Sequence, residues 1–299
     1  MTIVWVFPGQ GSQKIGMAKN VITLPSARFR FDYASELFER NLYDICEANF
    51  NELNTKSFDL NNTENTQICL FLVESILLDA LKENGYKPKY VAGHSLGEIT
   101  ALYCANVFSF EDCVVLIKIR SQLMANAAKG SMAALIGFDR KELDCLIDQV
   151  DDIVIANDNS SSQVVLSGSE EALDNFSKEI KCKRFLKLNV SGAFHSPFMN
   201  DSSIEFSKFL KTIKFKTPSF PVISNYCPTL CSDPNELKIR LEKQMCNGVR
   251  WRETMDLLSK ESDLHIIEIG PSNVLSGLGK RHFKDVKISQ VSSADQIKY

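Results

Sequence analysis

No apolar run in this 299-residue chain approaches the ~20 residues that a membrane-spanning helix needs. The N-terminal stretch Met1-Thr-Ile-Val-Trp-Val-Phe-Pro-Gly9 lacks a basic region, and its apolar run stops at Pro8. It reads as a buried strand and not as a signal peptide. No charge of either sign dominates: the net charge of −3 argues against a nucleic-acid surface. Internal repeats, low-complexity tracts and long linkers are all missing. The nine cysteines show no zinc-binding spacing, since Cys227 and Cys231 lack a second Cys or His pair. Their odd number and the apolar contexts of Cys69, Cys104 and Cys113 suit reduced, buried thiols of a cytoplasmic protein.

What the chain does have is an ordinary globular composition, 44% hydrophobic and 24% charged, and room for one large or two modest domains. Strands alternate with helices: a strand over 3–7, a helix over 67–84, and a helix from the capping-box pattern Ser109-Phe-Glu-Asp112 through Arg120 to about Ala128. Between 129 and 191 the pattern changes to short elements in the order β-α-β-β-α-β: strand 132–136, helix 140–149, strands 153–157 and 164–167, helix 170–180, strand 184–188. That order is ferredoxin-like. Afterwards a strand at 221–224, a helix at 235–245, a strand at 265–269 and a last helix and strand resume the α/β pattern. The reading is an α/β protein in which a parallel sheet is built by residues 1–128 and 192–299, with a small domain, 129–191, inserted. The cleft between the two is the expected site.

The stretch Val91-Ala-Gly-His-Ser-Leu-Gly-Glu98 stands out. It reads as a strand end, a sharp turn and a helix start, the G-x-S-x-G elbow of serine acyl-transfer enzymes. Such a turn lifts the Ser95 hydroxyl off the backbone and sets it near the positive end of a helix. A serine nucleophile needs a base, and the chain has only four histidines. His94 is next to Ser95 and points elsewhere; His265 opens an apolar strand; His282 sits in the basic run Lys280–Lys284 and reads as a solvated face. His195, in Ser191-Gly-Ala-Phe-His-Ser-Pro197, lies where the chain returns to the large domain and is the candidate base. A developing oxyanion needs amide donors. The amide of Leu96 is one candidate, and the loop Phe7-Pro-Gly-Gln-Gly-Ser-Gln13 offers another; that loop lacks the endings of a phosphate-binding or dinucleotide motif.

Phe7–Gln13, Gly93–Glu98, Arg120 in Ile119-Arg-Ser-Gln-Leu-Met124, Gly192-Ala-Phe-His-Ser196 and Glu268-Ile-Gly-Pro271 follow one another in an order that resembles the malonyl-CoA:acyl carrier protein transacylase family over nearly the whole chain. The resemblance implies an α/β-hydrolase-like large domain with an inserted ferredoxin-like domain. It implies Ser95 as nucleophile, His195 as general base, the Gln10 and Leu96 amides as oxyanion hole, and Arg120 as the cation that forks onto the malonyl carboxylate. In that family a backbone carbonyl orients the imidazole, and Gln244 matches the orienting position. Met124 and Phe194 fall in the substrate-binding motifs. Leu96 and the triplet Ala193-Phe194-His195 are similar to malonyl-selecting members. The substrates implied are malonyl-CoA and a holo-acyl carrier protein, with no metal or other cofactor. Gly248 stands where many relatives have proline, and Pro221-Val-Ile-Ser-Asn225 looks more like the free-standing acyltransferases of polyketide synthases than the fatty-acid enzyme. Carrier proteins of this kind are typically acidic, which makes Lys181–Arg184 with Lys187, Lys211/Lys214/Lys216 and Lys280–Lys284 candidate docking clusters. Two alternatives share the elbow. A carrier-protein hydrolase that clears stalled acyl groups would have no use for a cation at Arg120. A lipase-like esterase would need an acidic residue before the histidine, and Glu98 is too close to the elbow to serve.

Overall fold

The computed structural model describes residues 1–47, 58–127, 130–190 and 192–297. In chain order the elements are β1 (Thr2–Phe7), α1 (Ala27–Phe38), α2 (Leu42–Glu47), α3 (Thr63–Glu83), β2 (Tyr90–Gly93), α4 (Gly97–Cys104), α5 (Phe110–Asn126), β3 (Ser131–Phe138), α6 (Arg140–Ile147), β4 (Ile153–Ser160), β5 (Gln163–Gly168), α7 (Glu170–Glu179) and β6 (Cys182–Lys187). A 3-10 turn at Pro197–Met199 leads into α8 (Asn200–Leu210), followed by β7 (Val222–Ile223), β8 (Leu230–Cys231), α9 (Pro234–Gln244), α10 (Trp251–Leu258), β9 (Leu264–Ile269), α11 (Val274–His282) and β10 (Lys287–Val291).

Six strands form one sheet in the order β10-β9-β1-β2-β7-β8. All neighbours run parallel except β8, which pairs antiparallel with β7. The central β1 reads as a near-continuous apolar run because helices cover both of its faces. The core gathers α3, α4 and α5 on one side, with Phe7, Phe71, Leu72, Leu102 and Ile117 fully buried. On the other side Trp251, Met255, Leu275 and Leu278 pack against Val4, Val6 and Ile266. Residues 131–187 build a second, wholly antiparallel sheet in the order β4-β5-β3-β6, which is the ferredoxin-like strand order. Its helices bury Leu143, Leu173 and Phe176 against Leu135 and Leu166. The expected domain boundaries at 128/129 and 191/192 involve residues 128, 129 and 191, which lie outside the described residues.

Several expectations shift. The long helix begins at Thr63, four residues before the predicted start, because Asn62 caps it by accepting from the Glu64 N–H. Ser109 and Asp112 form the capping box read from the sequence, and α5 ends at Asn126. Helices α1, α2, α8 and α10 and strand β8 lie where no element was assigned. His282 does not lie on a freely solvated face: it is half-buried, Nε2 is 3.4 Å from an Asp256 carboxylate oxygen, and its ring stands edge-on to Phe283. All nine cysteines are free; Cys69, Cys104 and Cys113 are buried as expected, whereas Cys145 is exposed.

Candidate active site

The elbow is held by contacts that exclude side chains. A Cβ on Gly97 would sit 2.0 Å from the Phe7 carbonyl oxygen, and one on Gly93 would sit 1.8 Å from the Gly97 oxygen. Both spacings are impossible for real atoms, so the first and last glycines of G-x-S-x-G let β1, β2 and α4 converge. The His94 N–H donates to the Phe7 carbonyl at 2.9 Å, pinning the turn to the strand beside it. Ser95 has φ 54°, the left-handed region that non-glycine residues enter at a cost of about 1–2 kcal/mol. That conformation projects its side chain into a cleft lined by Gln10, Gln67, Arg120, Phe194 and His195.

His195 also has a positive φ, 56°. Its loop is fastened by Ser167 Oγ, which donates to the Phe194 carbonyl at 2.5 Å, and by Ser196 Oγ, which donates to the Ala193 carbonyl. The ring stands between two partners: Nε2 is 2.8 Å from Ser95 Oγ, and Nδ1 is 2.9 Å from the backbone carbonyl of Gln244. A carbonyl can only accept, so Nδ1 carries the proton and Nε2 presents its lone pair to the serine hydroxyl. Burial, and then the charge of Arg120, push the imidazole pKa down to about 3. The ring is therefore neutral at physiological pH.

Arg120 is 1% exposed. Its Nη1 donates to Gln67 Oε1 at 2.6 Å, and its Nη2 to Gln244 Oε1 at 2.9 Å and Ser95 Oγ at 3.1 Å. All three acceptors are neutral, and Nε has no partner among the described residues. Burial lowers its pKa to about 10, opposed by the charge of Glu98. It remains protonated, a buried cation whose own contacts do not neutralise it. Glu98 is buried too and its pKa is pushed up to about 7 by burial, against hydrogen bonds from Gln244 and the Asn225 N–H.

The structure brings the sequence-derived catalytic and substrate-site candidates together, while none of the basic residues named as docking candidates lines the cleft. Gln10, Ser95, Leu96, Arg120, Met124, Phe194 and His195 line one cleft, and Gln244 lies behind it with its carbonyl on the imidazole. The Gln244 side chain reaches further than its sequence position suggested: Nε2 donates to the Ser95 carbonyl at 2.9 Å and to Glu98 at 2.8 Å. Of the other histidines, His94 also lines the cleft but its Nε2 is engaged 2.8 Å from Asn159 Oδ1, and His265 is buried against Ser289. Sequence reasoning missed Gln67, which orients Arg120, and gave no role to Asn225 or Glu98. Gly248, the position that departs from many relatives, lies so close to β4 that a Cβ would be 2.5 Å from the Ile155 carbonyl oxygen. That approach lets Val249 bridge to Asn157 and ties the loop after α9 to the small sheet. Among the described residues no cluster of His, Cys, Asp and Glu could hold a metal.

This fold and its elbow serine define the class as an acyltransferase, and the chain belongs to the acyl transferase domain family, whose model matches residues 4–297. More particularly, it is 39% identical over 297 residues to the malonyl CoA-acyl carrier protein transacylase of Synechocystis sp., a match covering 99% of each protein. The crystal structure of the Synechocystis malonyl-CoA:ACP transacylase superposes with a TM-score of 0.94 at 40% identity, over 99% of each chain. A malonyl-transacylase solved in complex with its type II PKS acyl-carrier protein superposes at 0.90 and 30% identity, over 99% of this chain and 98% of that one.

Proposed function

We propose that this enzyme moves a malonyl group from malonyl-CoA, through an ester on Ser95, to the phosphopantetheine thiol of an acyl carrier protein. The observation that carries this reading is Arg120: a buried guanidinium, satisfied only by neutral acceptors, with Nη2 3.1 Å from Ser95 Oγ. An acyl group with a free carboxylate answers that charge, and an uncharged acyl group leaves it with no carboxylate in hydrogen-bond contact and only the more distant charge of Glu98.

His195 Nε2 takes the Ser95 proton as Oγ attacks the thioester carbonyl. The tetrahedral oxyanion rests on the Gln10 and Leu96 amides, aided by the N-terminus of α4. The intermediate collapses to the Ser95 ester, and the CoA thiol leaves with the proton from His195. In the second half the carrier thiol gives its proton to His195 and attacks the ester carbonyl, and Ser95 Oγ leaves and recovers the proton. Every proton passes through one imidazole, so the cycle balances without a metal or redox group. The Gln244 carbonyl replaces the usual carboxylate behind the histidine. It fixes the tautomer without adding a negative charge to a site that must receive an anionic substrate.

The relatives include a malonyl CoA-acyl carrier protein transacylase and a polyketide biosynthesis protein, the chain covering 36% of the latter. The Pro221–Asn225 stretch inclines our assignment to polyketide assembly. The free thiols suit a reducing cytoplasm, and no described helix is long and apolar enough to cross a membrane. The deciding experiment is intact-mass analysis with malonyl-CoA and then acetyl-CoA, with and without a holo-carrier protein. A malonyl adduct on Ser95 that passes to the carrier is expected. An adduct lost to water, with preference for uncharged acyl groups, would replace the transferase by a carrier-protein hydrolase.

A further inference from the structure

Beyond the elbow's own glycines, a second set of contacts surrounds Ser95 from a distant part of the chain. Asn225 follows β7, the strand next to β2. Its side-chain Oδ1 accepts from the Ser95 N–H at 2.7 Å, and its Nδ2 donates to the Gly93 carbonyl at 2.5 Å. One amide thus grips the turn on both sides of His94. The Asn225 N–H donates to Glu98 Oε2 at 3.0 Å, and the same oxygen accepts from Gln244 Nε2 at 2.8 Å. Gln244 closes the ring by donating to the Ser95 carbonyl. Asn225, Glu98 and Gln244 are each 1–2% exposed. Asn225 is itself fixed: its carbonyl accepts from the Arg250 N–H, and the turn after it is held by Arg240 Nη1, which donates to the Cys227 and Thr229 carbonyls.

A serine in the left-handed region relaxes unless its surroundings over-determine it. Here both backbone polar groups of Ser95 are engaged from outside the turn, its N–H by Asn225 and its carbonyl by Gln244. Gln244 also holds the His195 ring through its carbonyl and the Arg120 fork through Oε1. Glu98 Oε2 joins the two arms. We propose that Asn225 is a positioning residue for the Ser95 elbow and that Glu98 couples it to Gln244, so that hydroxyl, imidazole and guanidinium share one hydrogen-bonded frame. This rests on the reading that Ser95 carries the acyl group. None of the three touches the acyl chain through this frame. Its loss slows attack by misplacing Oγ and leaves substrate affinity intact.

The test uses the full chain with malonyl-CoA and a holo-carrier protein, measuring malonyl-Ser95 formation by rapid quench and intact mass alongside steady-state constants. Asn225→Leu keeps the shape and removes both hydrogen bonds; acylation should slow by about 10–100-fold, the scale of an ångström-level misplacement, with KM for malonyl-CoA within about twofold. Glu98→Leu should slow acylation similarly. Glu98→Gln, whose amide oxygen accepts from the same two donors, should recover most of that loss. The double variant Asn225→Leu/Glu98→Leu should be little slower than the worse single one, as expected for members of one unit. If Asn225→Leu does not fold, Asn225→Asp, which keeps the acceptor for the Ser95 N–H and loses the donor to Gly93, takes its place. The inference is overturned by an unchanged acylation rate in the Asn225 variant, by a loss lying wholly in KM, or by Glu98→Gln as slow as Glu98→Leu. A wild-type enzyme that never carries malonyl on Ser95 would remove the transfer reading. A normal wild-type adduct with an unimpaired Asn225 variant removes the frame alone.

Discussion

Arg120 Nη2 and Ser95 Oγ stand 3.1 Å apart at the floor of one cleft. In a malonyl group one methylene separates the carboxylate from the carbonyl that Oγ attacks. On the proposed transfer, a cation at this spacing would select for the length of the acyl chain as well as for its charge. It can do so because it lies on α5 at a core-facing position, with Ile117, Ser121 and Met124 buried around it.

Arg120→Ala should cost malonyl loading at least about 100-fold, since two hydrogen bonds to a charged group are each worth about 1.5–3 kcal/mol. The same variant should load acetyl groups faster than the wild type, because the uncompensated charge is gone. Competition between malonyl-CoA and acetyl-CoA, read as adduct masses, checks both. An unchanged malonyl preference would count against the assigned role.

His195 gives a pH signature. Burial and Arg120 hold its pKa near 3 in the free enzyme, so kcat/KM should show no acid limb at the ordinary histidine value of about 6.5. Once a malonyl carboxylate neutralises Arg120, one cause of that depression weakens and the imidazole becomes more basic. The acid limb of kcat should therefore lie at higher pH than that of kcat/KM. Rate profiles from pH 4 to 9 decide it, and a kcat/KM limb near 6.5 would refute the assigned environment.

The same shifts act on stability with opposite signs. For His195 the folded pKa is depressed. As pH falls below about 6.5 the unfolded chain takes up a proton that the folded site refuses, and stability is lost progressively toward pH 3. For Glu98 the folded pKa is raised to about 7, so between about 4.5 and 7 the folded state holds a proton that the unfolded chain releases, and stability falls as pH rises through that window. Replacing His195 with Gln should flatten the acid side of the profile, and Glu98→Gln should flatten the decline from 4.5 to 7. Urea unfolding of each variant at pH 5 and pH 7 gives the comparison.

Gly97→Ala tests the convergence at the elbow. Its Cβ would lie 2.0 Å from the Phe7 carbonyl oxygen. The obstacle is backbone, which cannot swing aside as a flexible side chain does. The loss should exceed the ~1–3 kcal/mol typical of overpacking, seen as a lower urea midpoint or as no soluble protein. Stability equal to wild type would mean that β1 and α4 do not approach as described.

Local chemistry decides what was legible in the sequence. The elbow could be read because its glycines answer a steric demand set within five residues. The α5 start could be read because Ser109 and Asp112 satisfy each other's backbone groups. His195 stood out among four histidines by its place at the return to the large domain, and the family resemblance made it the base. Arg120 taken alone reads as an exposed helix arginine and only the family resemblance gave it a role, whereas the structure buries it; the overlooked signal is that Cys113, Ile117, Arg120 and Met124 repeat at helical spacing on one face. Helices α1 and α8 mix aromatic, charged and small residues without a clean apolar period, and two-residue β8 is too short to show alternation. Asn225 and Gln67 are single polar residues whose partners lie 130 and 53 positions away, a relation that only the folded chain reveals.

Gln67 provides the last prediction. It lies in the first turns of α3, which begins earlier than its apolar periodicity implied. Its Oε1 accepts from Arg120 Nη1 at 2.6 Å, while its Nε2 points to Met124 Sδ at 3.3 Å. The oxygen fixes one arm of the guanidinium, and the contact with Met124 fixes which way the amide faces. Gln67→Leu keeps the volume and leaves Nη1 buried without its acceptor, so the fork should swing or draw in water. Malonyl loading should fall by about 10-fold, the equivalent of one hydrogen bond to a charged group at ~1.5 kcal/mol, mostly through KM because the guanidinium binds the carboxylate throughout the reaction. The residual acetyl loading should stay near its wild-type rate, since Ser95 and His195 keep their contacts. Equal losses for malonyl and acetyl groups would show that Gln67 supports the cleft as a whole, and orientation of Arg120 would no longer be its role.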